Sequence, residues 1–328
     1  VAKSADAGQI SMKMNQSSGP ELDKRAAKVL RLLKRQQPMS TQTADEVRNQ
    51  LARAGNPFAA PEAHLAYRQD HTVTAADGAA LLLREYSPVE NGSVSPAILF
   101  FHGGGFVIGS VAEYDSICSQ LAARSGARVF SLEYRLAPQV KYPVPHEDSR
   151  AAYRWLLGAR DQLALTGIGV CGDSAGGNLA ASLCLYARNN ALEQPALQML
   201  WYPMTHGSVE TESRRRFAQD YYITEADMRW FSAQLFEESK QSEDIYFAPG
   251  LGADLSGLAP AYVMTAGFDV LHDEGELYAK KLEASGVATE YHCRADMFHG
   301  FISFAGALAQ GIDEIYRTAD FFRARTGK

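Results

Sequence analysis

Apolar residues recur along this chain at two different periods, and the alternation between them predicts its elements. Leu22 to Leu33 places Leu22, Ala26, Val29, Leu30 and Leu33 on one face of a helix. Thr43 to Glu46 has the Thr-x-x-Glu spacing of a capping box and predicts a second helix to about Ala54, ended by Gly55-Asn56-Pro57. Thr72–Thr74 and Ala80–Tyr86 flank Asp77-Gly78 and read as a β-hairpin. Beyond it, strand candidates alternate with helical patterns. The strand candidates are Ala97–Phe101, Ala127–Tyr134, Ile168–Cys171, Met199–Tyr202, Ala261–Ala266 and Thr289–Cys293. The helical stretches include Ser116–Ser125, Glu147–Leu157, Asn178–Asn189, Glu274–Ser285 and a last one from about Gly306 to Arg323. Several of the strand candidates are short, largely apolar runs, as expected for strands of a mostly parallel sheet covered by helices on both faces, so the expected class is α/β.

One stretch breaks the rhythm. Between Thr205 and Asp254 there is no strand-like run; an amphipathic helix opens at Thr224-Glu225-Ala226-Asp227 and carries Met228, Phe231 and Leu235. Together with the two N-terminal helices, this insertion reads as a helical cap over the C-terminal edge of the sheet, where open α/β sheets bind ligands.

Composition narrows the class. The net charge of −6 argues against a nucleic-acid partner, and Arg214-Arg215-Arg216, the one dense basic run, reads as a solvated face. No run approaches the ~18 apolar residues of a membrane span. Cys118, Cys171, Cys184 and Cys293 form no C-x-x-C pair and read as buried free thiols of a reducing, cytoplasmic compartment, with a disulfide left open. The first 20 residues form a polar tail without an apolar signal core; because the chain opens on Val1, that tail is expected to be a remnant of trimming or engineering, which keeps a periplasmic location as an alternative.

The chemistry is carried by Gly172-Asp173-Ser174-Ala175-Gly176, set between an apolar strand and a small-residue helix. A serine between glycines at that junction fits a nucleophile elbow, a turn so tight that bulk is excluded and the hydroxyl is exposed. A serine needs a base, and the base a carboxylate that orients it. Of the eight histidines, His272, His292 and His299 lie late enough in the chain. His292 falls inside a strand, whereas His299-Gly300-Phe301 follows it in a loop, so His299 is the favoured base. Asp269 leaves the strand Ala261–Ala266 and is the favoured acid. Asp273, Glu274 and Glu276 compete, but Asp273-Glu274-Gly275-Glu276 has capping-box spacing, which gives Asp273 an N-cap role. Asp173 is expected to steady local loops. His102-Gly103-Gly104-Gly105-Phe106 follows the strand Ala97–Phe101. Its glycines let the main chain approach an oxyanion, with Gly104 and Gly105 as donors, Gly103 as a substitute, and the N–H of Ala175 completing the set. The spacing fits neither glycine-rich phosphate motif.

These motifs, with Tyr134-Arg135-Leu136-Ala137-Pro138 and Asp269–Gly275, resemble the bacterial hormone-sensitive-lipase-like esterases of family IV, in the subgroup that spells its elbow Gly-Asp-Ser-Ala-Gly. His272 stands where that family often has an arginine. The resemblance implies an α/β-hydrolase fold and divides the chain into a tail (1–20), a helical cap (21–60 and 205–250) and a catalytic domain (61–204 and 251–328). It implies a serine carboxylesterase acting on small, short- to medium-chain acyl esters, without metal or organic cofactor, and it allows a homodimer. An amidase or lactonase on the same three residues is the enzymatic alternative; a non-catalytic receptor on the same scaffold would have lost one of them. Phe106, Trp201, Tyr202, Tyr221, Tyr222, Phe231 and Phe301 are candidates to line the pocket, each with plain core packing as the competing role.

Overall fold

A computed structural model describes residues 20–327, so the predicted tail lies outside the described residues except for Pro20. The elements run α1 (Lys24–Leu33), α2 (Ala44–Ala54), β1 (Tyr67–Thr74), β2 (Ala80–Ser87), β3 (Ser95–Phe101), α3 (Asp115–Ser125), β4 (Arg128–Leu132), α4 (Val144–Gly158), β5 (Leu165–Asp173), α5 (Ala175–Asn189) and β6 (Gln198–Trp201). They continue with α6 (Glu212–Arg216), α7 (Glu225–Leu235), β7 (Ala261–Phe268), α8 (His272–Ala284), β8 (Thr289–Phe298) and α9 (Ala309–Thr326).

The strands form one sheet in the order β1-β2-β4-β3-β5-β6-β7-β8. Only β2 runs against the others, pairing antiparallel with β1 and β4, while the pairs from β4 through β8 are parallel. Both faces are buried. Along β3, Ala97, Leu99 and Phe101 enter the cluster shared with α4, α5 and α8, and Ile98 and Phe100 enter the one shared with α3, α9 and α1. This is why these strands read as unbroken apolar runs rather than alternating ones.

Local signals set the element starts. Thr43 and Glu46 form the predicted capping box of α2, and Thr224 pairs with Asp227 in the same way at α7. Asp23 caps α1 two residues later than the periodicity suggested, accepting the N–H groups of Arg25 and Ala26. The hairpin turns at Asp77-Gly78 as expected, with Gly78 at φ 88°.

Three expectations are corrected. Helix α8 begins at His272, so Asp273 lies inside its first turn and is not an N-cap; its carboxylate instead accepts the N–H of Ser213 at 2.8 Å. Arg214 is no part of a solvated face: it is 8% exposed and reaches the fully buried Glu274 at 3.1 Å. Cys293 is half-buried rather than buried, although all four cysteines are free.

Glu274 ties the chain after β6 to α8. It accepts from the N–H groups of Thr205 (2.6 Å) and His206 (3.3 Å) as well as from Arg214. Burial pushes its carboxyl upward in pKa and Arg214 pulls it back. Removing one member of a buried pair strands the other charge in a low dielectric, at a cost of about 3–5 kcal/mol. Glu274→Ala is therefore expected to lose that much stability in denaturant unfolding; a variant as stable as the parent contradicts this role.

Candidate active site

Every candidate site residue emerges at the C-terminal edge of the sheet. Gly103–Gly105 follow β3, Ser174 follows β5, Asp269 follows β7 and His299 follows β8. Strand β8 runs on to Phe298, five residues beyond the predicted end at Cys293, and delivers His299 directly to that edge.

Ser174 sits at φ 55°, ψ −116°, a region costly for a residue with a side chain. Its neighbours enforce this. A methyl group at Gly172 would strike the Gly176 backbone, and one at Gly176 would strike the Phe101 carbonyl. The Ser174 N–H donates to the Trp201 carbonyl at 2.8 Å, and its own carbonyl accepts from Asn178 at 3.0 Å as α5 begins. The serine hydroxyl is thereby held at the N-terminus of α5, where the peptide dipoles favour negative charge.

The three side chains form one hydrogen-bonded line. His299 Nε2 lies 2.9 Å from Ser174 Oγ, and His299 Nδ1 lies 2.7 Å from Asp269 Oδ2. The other carboxylate oxygen of Asp269 accepts the Leu271 N–H at 2.8 Å. Asp269 and His299 are 1% and 4% exposed, so the pair lies out of bulk water while the serine is open to the cavity. With Nδ1–H donating to the carboxylate, Nε2 keeps its lone pair for the hydroxyl proton. Of the competitors, His272 Nδ1 is turned to the Ala266 carbonyl and His292 lies across from Glu314, both away from the serine line.

The glycine loop is fixed by the residues around it. Tyr134 stacks on His102 at 4.3 Å and donates its hydroxyl to the His102 carbonyl at 2.8 Å. His102 Nδ1 donates to the Gly103 carbonyl at 2.8 Å. Burial pushes the His102 pKa down to about 4, so it stays neutral and serves the loop. The Gly103 N–H donates to the Tyr114 hydroxyl at 3.1 Å and is thereby occupied. Gly104 and Gly105 stand at φ 113° and 60°, backbone conformations natural to glycine. Among the described residues, the N–H groups of Gly104, Gly105 and Ala175 have no acceptor within the protein.

Tyr114, which no motif in the sequence singles out, links this loop to the elbow by donating to Asp173 Oδ2 at 3.0 Å. A tyrosine eleven positions after Gly103 carries no local pattern that announces the contact. A cavity of about 990 Å³ opens onto Ser174, His299 and the glycine loop. Phe106, Tyr222 and Phe231 line it as anticipated; Trp201, Tyr202, Tyr221 and Phe301 are not in its wall. Parts of α1, α2 and α7 complete the lining, including Leu33, Leu51, Met228 and Leu235. Among the described residues no group of three His, Cys, Asp or Glu is arranged to hold a metal ion, and no helix is long and apolar enough to cross a membrane.

A mostly parallel sheet with an elbow serine, a late histidine and a late aspartate at its C-terminal edge defines an α/β-hydrolase enzyme. Comparison with known proteins agrees. Residues 98–303 match a family model described as α/β hydrolase fold. The carboxylic ester hydrolase LipN of Mycobacterium tuberculosis is 39% identical over 71% of this chain; the matched stretch spans 64% of that relative's length. The ethyl acetate hydrolase of Pseudomonas putida is 34% identical over 84% of this chain and 88% of its own. Among solved structures, an ester hydrolase from the Lake Arreo metagenome superposes with a TM-score of 0.90 at 32% identity, covering 94% of this chain and 100% of that one. An esterase of Pyrobaculum calidifontis gives 0.86 at 34% identity, covering 92% and 98%. The chain belongs to the α/β-hydrolase family of carboxylic ester hydrolases, in its hormone-sensitive-lipase-like branch.

Asp173 offers a direct electrostatic test of this site. It is 4% exposed, and burial raises its pKa to about 6 against the ordinary 3.8, with Tyr114 and His299 pulling the other way. The native state therefore holds this proton longer than the unfolded chain does. The associated stability is complete below pH ~4 and is lost as the pH rises through about 6, to the extent of about 3 kcal/mol. Asp173→Asn is expected to flatten the stability change between pH 4 and 7 by that order, measured by denaturant unfolding at each pH; an unaltered pH dependence contradicts the assignment.

Proposed function

We propose that this protein hydrolyses short- to medium-chain carboxylic esters through an acyl-enzyme formed on Ser174. The observation that carries the reading is the continuous line Ser174 Oγ–His299–Asp269, with contacts of 2.9 and 2.7 Å. His299 Nε2 takes the hydroxyl proton as Ser174 attacks the ester carbonyl. Asp269 orients the ring and stabilises the imidazolium that forms. The oxyanion is received by the N–H groups of Gly104, Gly105 and Ala175, each contributing roughly 3–4 kcal/mol of transition-state stabilisation. His299 then protonates the departing alcohol. Water enters on the same base and releases the acid.

The helical segments 21–60 and 205–250 act in this reading as a cap that bounds the acyl group. An apolar cavity of about 990 Å³ supports a finite chain length. The four free thiols fit a reducing, cytoplasmic setting.

Two measurements test the reading. Ser174→Ala is expected to lower turnover of p-nitrophenyl butyrate on the order of 10⁶-fold; activity surviving in that variant rejects the nucleophile. Across p-nitrophenyl acetate to palmitate, kcat/KM is expected to peak at the short esters and fall steeply toward palmitate. A flat series, or one that rises with length, contradicts the bounded pocket.

A further inference from the structure

Oxyanion donors work only if they are fixed in place before the charge appears. The turn that carries Gly104 and Gly105 is closed on itself, with the Gly104 carbonyl accepting from Val107 (3.0 Å) and Ile108 (2.9 Å). Its entrance is held within the sheet domain by the Gly103–Tyr114 contact. Its exit is held from outside. Arg48, on α2, donates through Nε to the Val107 carbonyl at 2.7 Å and through Nη2 to the Ala137 carbonyl at 2.5 Å. The Ala137 N–H in turn donates to the Phe106 carbonyl at 2.8 Å, so one guanidinium braces two consecutive residues of the turn. From α7, the Phe231 ring lies against Gly105, where a methyl group would collide with it.

Arg48 is not spent on ion pairing. Among the described residues its carboxylate neighbour is Asp45, 3.3 Å away and 71% exposed, a setting in which a pair contributes little, and its Nη1 also donates to the Gln139 amide oxygen at 2.8 Å. Burial lowers the guanidinium pKa more than Asp45 raises it. A partly buried charge aimed at two backbone carbonyls makes short charge-assisted bonds, which are stronger than neutral ones.

We propose that Arg48 is a positioning residue for the oxyanion site, through which helix α2 holds the Gly104 and Gly105 N–H groups in their productive aim. This rests on the esterase reading above. Without Arg48 the exit of the turn keeps only neutral contacts, and the two donors lose their fixed direction. Because those donors engage charge that exists only in the transition state, the loss falls on kcat rather than on KM.

The test uses the full chain, p-nitrophenyl butyrate as substrate and phenylboronic acid as a tetrahedral inhibitor. Arg48→Met keeps the stem and removes the donors. It is expected to lower kcat about tenfold, a fraction of the 10²–10³ lost with a whole donor, to leave KM within about twofold, and to weaken phenylboronic acid by the same factor as kcat. Arg48→Lys, with one donor head, is expected to recover part of the loss. Asp45→Asn removes the charge of the exposed pair, leaves the Arg48 bonds to the two carbonyls in place, and is expected to match the parent. A raised KM with kcat intact overturns the proposal, since Arg48 would then be only a pocket wall. Parental kcat and inhibitor strength in Arg48→Met also overturn it, as does a loss in Asp45→Asn equal to that in Arg48→Met. If Arg48→Met does not fold, Arg48→Lys decides: reduced kcat at unaltered KM supports the proposal and parental kcat overturns it. Failure here leaves the dependence on Ser174 untouched, so it is separable from failure of the esterase reading itself.

Discussion

The serine backbone at φ 55° is the constraint from which the rest of the site follows. Strand β5 must turn into helix α5 with no intervening loop, and the turn passes so close to β3 that Gly172 and Gly176 have no room for a Cβ. A strained residue persists only where its surroundings over-determine it. Here they do so through the Trp201 carbonyl, the start of α5 and the packed backbone of Phe101. The outcome is a hydroxyl at the positive end of a helix, within 2.9 Å of His299 and facing a cavity.

Parallel strand order then gathers the partners. Residues 125 and 30 positions apart in the chain become hydrogen-bonded neighbours because β5, β6, β7 and β8 lie side by side and all end at the same edge. Asp269 and His299 are buried and Ser174 is less so, which lets the imidazole interact strongly with the carboxylate while the serine faces the cavity. The glycine loop belongs to the same edge, and it is braced from two sides, by Tyr114 and Tyr134 within the sheet domain and by Arg48 and Phe231 from the helical segments.

What could be read from the sequence was whatever has a local cause. Capping at Thr43 and Thr224, the turn at Asp77-Gly78, the apolar strands and the glycine-flanked serine each announce themselves within a few residues. Asp269 and His299 are also legible from local context, each lying in a loop after a late strand, although setting Asp273 aside as an N-cap rests on a spacing the helix does not use. The misreadings have non-local causes. Asp273 has capping-box spacing, yet the helix starts one residue before it, and Ser213, sixty positions upstream, takes its carboxylate. Arg214 sits in a basic run, but the buried Glu274 draws it inside. Tyr114 and Arg48 act on backbone groups of the glycine loop, and side-chain contacts to backbone leave no compositional trace.

In the proposed reaction this geometry makes Ser174 the nucleophile. Treating the protein with a p-nitrophenyl alkylphosphonate and mapping the adduct by peptide mass spectrometry tests this most directly. One phosphonyl group per chain is expected, on the peptide carrying Ser174, formed far more slowly once His299 is replaced by alanine. Stoichiometric labelling of any other residue, or an unchanged labelling rate without His299, would contradict it.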